Sequence, residues 1–209
     1  MKKLLILLFS IFFLSSPSVF AEDISDFQIE GMSIGDSLLD YMTEEEILKE
    51  IEKSLSANDH GYLNEPFKYI DVYLYKDFPT YEYVSVFVNI NSTNQYVTNK
   101  NEKYTIQTIR GMIDYIEDID GCIQKRDEIV EELSMMFPNE HKNEKTHSFK
   151  IDPSGKSMKY DVDFIFNSGD NIEVSCDNYE ETYRIKNNWT EGLNVFIVTS
   201  EVLNWLKDY

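Results

Sequence analysis

The chain has 209 residues, 38 of them acidic against 19 basic, for a formal net charge of −19. Such an acidic surface repels polyanions and excludes nucleic acid as a partner, while favouring solubility and a solvated exterior. The length suffices for one ordinary domain or two small ones, with a core that requires neither metals nor many disulfides.

Lys2 and Lys3 precede an uncharged, mostly apolar run from Leu4 to Leu14, the pattern of a secretory signal peptide. A cut after Ala21 puts Ala21 and Val19 at the small-residue positions that a signal peptidase reads. Residues 1–21 are therefore expected to be removed, leaving a mature protein that starts at Glu22 and resides in the periplasm or the extracellular medium. As a helix the apolar run spans about 17 Å against roughly 30 Å of bilayer core, so no stable membrane insertion is expected. The leader holds two of the basic residues and no acidic one, so the net charge of the mature part is −21. Residues 22–209 read as a single domain, within which two helix-plus-strands halves would meet near 116–120, although no residue-level repeat links them.

Ser33 to Met42 reads as a short amphipathic helix packing Ile34, Leu38, Leu39 and Met42. Thr43-Glu44-Glu45-Glu46 is a capping box, and Met42 and Ile47 stand where a hydrophobic staple belongs. Ile47, Leu48, Ile51 and Leu55 continue an apolar stripe until Asn58, Asp59, His60 and Gly61 supply turn chemistry. From Tyr69 to Lys76 the alternation predicts a strand, with Ile70, Val72 and Leu74 on one side and Tyr69, Asp71, Tyr73 and Tyr75 on the other. A connection at 77–80 leads to a second alternating run in which Val84, Val86, Val88 and Ile90 oppose Tyr83, Ser85, Phe87 and Asn89. After a polar stretch, Tyr104 to Ile113 reads as a third, less regular strand.

Cys122, Ile123, Ile129, Val130, Leu133, Met136 and Phe137 share one side of a long helix that Asp120 can cap and Pro138 ends. Residues 149–151, 160–166 and 172–176 read as strands joined by turns at 152–155 and 167–170. Leu193 to Thr199 reads as a last strand, and Ser200 to Leu206 as a short helix with Trp205 turned inward. The order predicts an α+β fold: an antiparallel sheet with helices packed on one face.

Cys122 on the apolar side of its helix and Cys176 on the strand face of Ile172 and Val174 both point toward the core. In an oxidising compartment they are expected to form a disulfide. Gly35-Asp36-Ser37-Leu38 resembles the nucleophile motif of the GDSL esterases and lipases, which would make Ser37 the nucleophile. That family needs a histidine three residues after an aspartate near the C-terminus. Here His60, His141 and His147 follow Ala57, Pro138 and Glu144 at that spacing, and the last 62 residues hold no histidine. Gly155-Lys156-Ser157 lacks the earlier glycine of a P-loop. Asp118-x-Asp120-Gly121 lacks the first and last ligands of a calcium loop, because Ile116 and Asp127 stand there. No catalytic residue, metal ligand or cofactor is therefore assigned. Tyr69, Tyr73, Tyr75 and Tyr83 either form an exposed aromatic platform for a glycan or peptide or lie beneath a helix.

The segment from Ile29 to Glu46, I-E-G-M-S-I-G-D-S-L-L-D-Y-M-T-E-E-E, resembles a group of small secreted bacterial proteins to which no activity attaches. Gly121-Cys122, Ser154-Gly155-Lys156-Ser157, Ser168-Gly169-Asp170 and Val174-Ser175-Cys176 look like later landmarks of that group, so the resemblance supports the fold and the cysteine pair. The expectation is an exported, non-enzymatic binding or interaction module. The alternatives are a serine esterase using Ser37 and an envelope scaffold that engages another envelope protein.

Overall fold

The computed structural model describes residues 23–57, 68–89 and 103–207. The expected leader, the turn at 58–61 and Ile90 lie outside the described residues, as does the side chain of Leu55. Seven strands form one sheet: β1 (Tyr69–Leu74), β2 (Tyr83–Asn89), β3 (Thr105–Asp114), β4 (His141–Ser148), β5 (Met158–Ile165), β6 (Asn171–Asn178) and β7 (Gly192–Val198). Their spatial order is β1-β2-β3-β7-β6-β5-β4, and every neighbouring pair is antiparallel. Two three-strand meanders thus flank β7, each preceded by a helix: α1 (Glu44–Ala57) or α2 (Ile119–Met136). Two shorter helices are α3 (Glu181–Asn187) and α4 (Ser200–Lys207). This is the predicted α+β class with an antiparallel sheet. No described helix is long and apolar enough to cross a membrane.

Period-two alternation separates the sheet into two unlike faces. One carries Ile70, Val72, Val84, Val86, Ile109, Val162, Phe164, Val174, Val195 and Ile197, all buried in a single core with α1 and α2. Cys122 in α2 and Cys176 in β6 form a disulfide whose Cα atoms are 6.0 Å apart, closing a 54-residue separation. The irregular pattern of the third strand has a specific cause. A bulge shifts the β2–β3 register between Phe87 and Val88, so that Ile106 and Ile109, three residues apart, both face the core. At Gly111 a Cβ would come within 2.6 Å of the Tyr81 ring, so the missing side chain makes room for an aromatic plug from the β1–β2 connection.

The capping box forms as expected. The Thr43 amide donates to Glu46 Oε2 at 2.8 Å and the Glu46 amide to Thr43 Oγ1 at 3.3 Å, with Ile47 fully buried behind them. Leu48, in contrast, is 52 % exposed, because the buried stripe of α1 is narrower than its apolar residues suggest. In α2 the cap is Asp118, whose carboxylate accepts from the Gly121 amide, and not Asp120. Buried Arg126 lies on the same helix, its stem inside and its guanidinium reaching Asp127 and Glu144.

Three further expectations are corrected, and two elements were not anticipated. Residues 33–42 are not an amphipathic helix: Gly35 and Asp36 exchange main-chain hydrogen bonds with Ile106, and only Leu38–Asp40 make a 3-10 turn. Residues 149–151 are not a strand but begin the tight turn ordered by Asp152. Strand β4 was missed because its residues, His-Lys-Asn-Glu-Lys-Thr-His-Ser, are nearly all exposed at a sheet edge and show no apolar alternation. Helix α3 has no buried residue, so no periodic stripe betrays it. Finally, α4 folds onto the sheet face opposite α1 and α2, where Val202, Leu203, Trp205 and Leu206 pack on Tyr69, Phe87, Phe196 and Val198.

Candidate ligand-binding face

The register sets the second sheet face out in rows. One row runs Tyr73, Ser85, Arg110, Phe196, Glu173, Asp163 from β1 to β5. The next runs Tyr83, Met112, Asn194, Ser175, Asp161, and a third Asp114, Gly192, Asp177, Lys159. Apart from the patch under α4 and the aliphatic Met112 and Ile165, this face is built mainly of hydrogen-bonding and aromatic side chains.

A four-membered network crosses it. Arg110 donates from Nε (3.0 Å) and Nη2 (2.7 Å) to Asn194 Oδ1, Asn194 Nδ2 donates to Asp177 Oδ2 at 3.1 Å, and the Tyr179 hydroxyl donates to the same oxygen at 3.3 Å. The Asn194 amide can satisfy both neighbours in only one orientation, so the network fixes its own geometry. Burial holds the Asp177 carboxyl above its ordinary range, with Lys159 and Arg110 opposing the shift. Asp71 behaves alike: burial pushes it up to about 7 against the Tyr73 hydrogen bond and the charge of Arg110.

The chain between β6 and β7 raises a wall beside this floor. Tyr179 and Trp189 stand 5.0 Å apart, and Tyr183 meets Trp189 edge-on at 5.3 Å. Asn188 takes a left-handed conformation at the end of α3, and the Trp189 amide bonds back to the Arg184 carbonyl. Buried Glu191 braces the wall's base by accepting from the amides of Tyr179 and Glu117, both at 3.0 Å. Opposite, the rings of Tyr73, Tyr75 and Tyr83 cluster at centroid distances of 6.1 to 6.4 Å. Between the two aromatic groups lies an open cleft of about 730 Å³ floored by Arg110, Asp177 and Asn194. A smaller depression of about 250 Å³, lined by Asp71, Ser85, Lys159 and Glu173, adjoins it, and Arg110 borders both.

The four tyrosines singled out by sequence thus divide. Tyr73, Tyr75 and Tyr83 lie together beside the cleft, Tyr75 being 69 % exposed. Tyr69 is fully buried beneath α4, with its ring 5.0 Å from that of Trp205. Ser37 is 1 % exposed. Its hydroxyl donates to the Lys103 carbonyl and accepts from the Leu39 amide, so it caps a 3-10 turn rather than facing solvent. His141 and His147 lie on the far edge strand β4, and His60 is outside the described residues. Lys156 is exposed and Ser157 buried against Asp152, as befits a structural turn.

Asp161, Asp163 and Glu173 come close enough to share a cation. Each already has a basic neighbour: His147 at 3.2 Å, Lys145 at 2.7 Å and Lys159 at 2.6 Å, respectively. The group reads as a cross-strand ion-pair network.

Sequence reasoning missed Arg110, Asp177, Tyr179, Trp189 and Asn194. Asn194 interrupts the otherwise apolar β7 opposite Val195, and Arg110 stands next to Ile109 on the other face of β3, a signal that could have marked a polar floor. Compared with protein-family models, with curated proteins and with solved structures, the chain finds no match in any of the three.

Proposed function

We propose that the chain is an exported, non-enzymatic binding module whose ligand, a saccharide, occupies the cleft between the polar sheet face and the α3 wall. Export is supported by the leader pattern of residues 1–21, by the disulfide and by the resemblance to secreted bacterial proteins. The observation that carries the binding reading is the cleft itself: aromatic rings on two sides, a fixed hydrogen-bonding floor between them. Of its lining side chains only Met112, Ile113 and Leu193 are aliphatic, which offers little to the apolar anchors of a peptide. A sugar ring, in contrast, presents C–H faces that stack on Tyr or Trp and hydroxyls that take up amide, carboxylate and guanidinium partners.

The protein has two tryptophans, Trp189 at the cleft and Trp205 on the buried side of α4. In a Trp205→Phe protein, fluorescence therefore reports on Trp189. Oligosaccharides selected on a glycan array are expected to change that emission saturably, and Tyr83→Ala is expected to weaken them at least tenfold. An array without hits, or hits that leave Trp189 emission unchanged, overturns the reading.

A further inference from the structure

We propose that the saccharide bound in this cleft carries a carboxylate, as a uronic acid does, and that Arg110 is the residue that receives it. This rests on the preceding reading and sharpens it. Arg110 is the guanidinium at the centre of the polar face, bordering both depressions. Its hydrogen bonds go entirely to Asn194 Oδ1, a neutral amide oxygen, through Nε and Nη2. Nη1 has no partner among the described residues, and no described carboxylate forms an ion pair with the group. A guanidinium presents five donors in a planar fork, and two of its edges match a carboxylate. Here one edge is spent on holding the side chain in position, and the other is unoccupied.

The surroundings favour an anion arriving from outside. Asp71 and Asp177 both feel the charge of Arg110, yet burial holds both toward their neutral forms. Asp177 spends Oδ2 on Asn194 and Tyr179, and its buried Oδ1 has no hydrogen-bond partner among the described residues. The other basic group nearby, Lys159, is bound to Glu173 at 2.6 Å. Arg110 is thus a positive charge without a full counter-charge in a protein of net −19. Elsewhere the acidic surface repels anions, and Asp114 and Glu191 also line the cleft, so the attraction is confined to Arg110 and selects ligands that can place their carboxylate there while their ring meets an aromatic wall.

Three trisaccharides of glucuronate, galacturonate or mannuronate, each paired with its carboxyl-reduced neutral counterpart, test this by calorimetry on the disulfide-bonded protein. At least one acidic member is expected to bind tenfold or more tighter than its neutral twin, with the preference shrinking as salt is raised. Arg110→Gln is expected to bring that ratio close to one; because Arg110 also belongs to the hydrogen-bonding floor, the neutral twin weakens too, and the ratio rather than either affinity is the readout. Arg110→Lys, which retains charge but not the planar fork, should keep a part of the preference, and it serves as the readout should the Gln protein fail to fold. Equal affinity for acidic and neutral twins overturns the carboxylate inference and leaves the saccharide reading in place. Failure of all six to bind, with no other array hit, overturns both.

Discussion

The two faces of the one sheet follow the same backbone and differ in almost everything else. On one, branched aliphatic side chains from six strands meet α1, α2 and the N-terminal segment in a continuous core, tied by Cys122–Cys176. The other is covered at one end by α4 and at the opposite end by the α3 wall, and between them it holds Arg110, Asn194 and Asp177 in one hydrogen-bonded chain beside the Lys159–Glu173 ion pair. The first arrangement yields stability through area removed from water. The second yields little net stability, because buried polar groups roughly recover what desolvation costs them. A face maintained in that condition suits the binding role proposed for it.

The contrast can be broken most strongly from the apolar side. Replacing both cysteines by alanine removes a cross-link of 54-residue separation and is expected to cost about 4 kcal/mol in urea unfolding on the chain-entropy model. The Trp189 response to ligand should survive in whatever fraction stays folded. Phe164→Ala, at a site 1 % exposed, is expected to cost about 3 to 5 kcal/mol through the cavity it leaves.

Asp71 sharpens the comparison from the polar side. Its folded value of about 7 lies above the 3.8 of an unperturbed aspartate, so the folded state holds this proton more tightly than the unfolded chain does. The contribution is therefore present in full below pH 3.8 and is lost as the pH rises through 7. Asp71→Asn removes the titration. Relative to wild type, it should gain on the order of 3 kcal/mol between pH 4 and pH 8 in denaturant midpoints, whereas an unchanged difference across that range contradicts the assignment.

Smaller effects should follow at the helix entrance and the sheet margin. Thr43→Ala deletes half the capping box and is expected to cost about 1 kcal/mol. Lys145→Ala, which breaks a half-exposed pair with Asp163, should cost well under 1 kcal/mol, and less still at high salt.

What could be read from the chain follows the same division. Where a residue's place is set by burial, the pattern is legible: Val84, Val86 and Val88 alternate, Thr43 and Glu46 box a helix start, and both cysteines fall on inward positions. Where exposure or long-range pairing decides, it is not. Strand β4 carries no apolar signal because both its faces are wet, and α3 lacks a stripe because it packs nothing away. The bulge at Gln107 depends on what β2 does opposite it. The cleft was legible only in part. Tyr73, Tyr75 and Tyr83 stood out by their alternation, but their partners Arg110, Asp177, Trp189 and Asn194 are brought to them by strand order, and strand order is not written in local periodicity. Tyr69 shared that alternation and was taken out of the platform by α4, an element 130 residues farther along the chain.

The position of β7 has a consequence for how the molecule is made. Both meanders precede it in the polypeptide, yet it lies between them, joined to β3 on one side and β6 on the other. A nascent chain that has not reached residues 192–198 owns two separate three-strand ribbons with raw edges and no means of docking them. Closure waits for that segment and then happens across the whole width at once, a non-local step that is intrinsically slow.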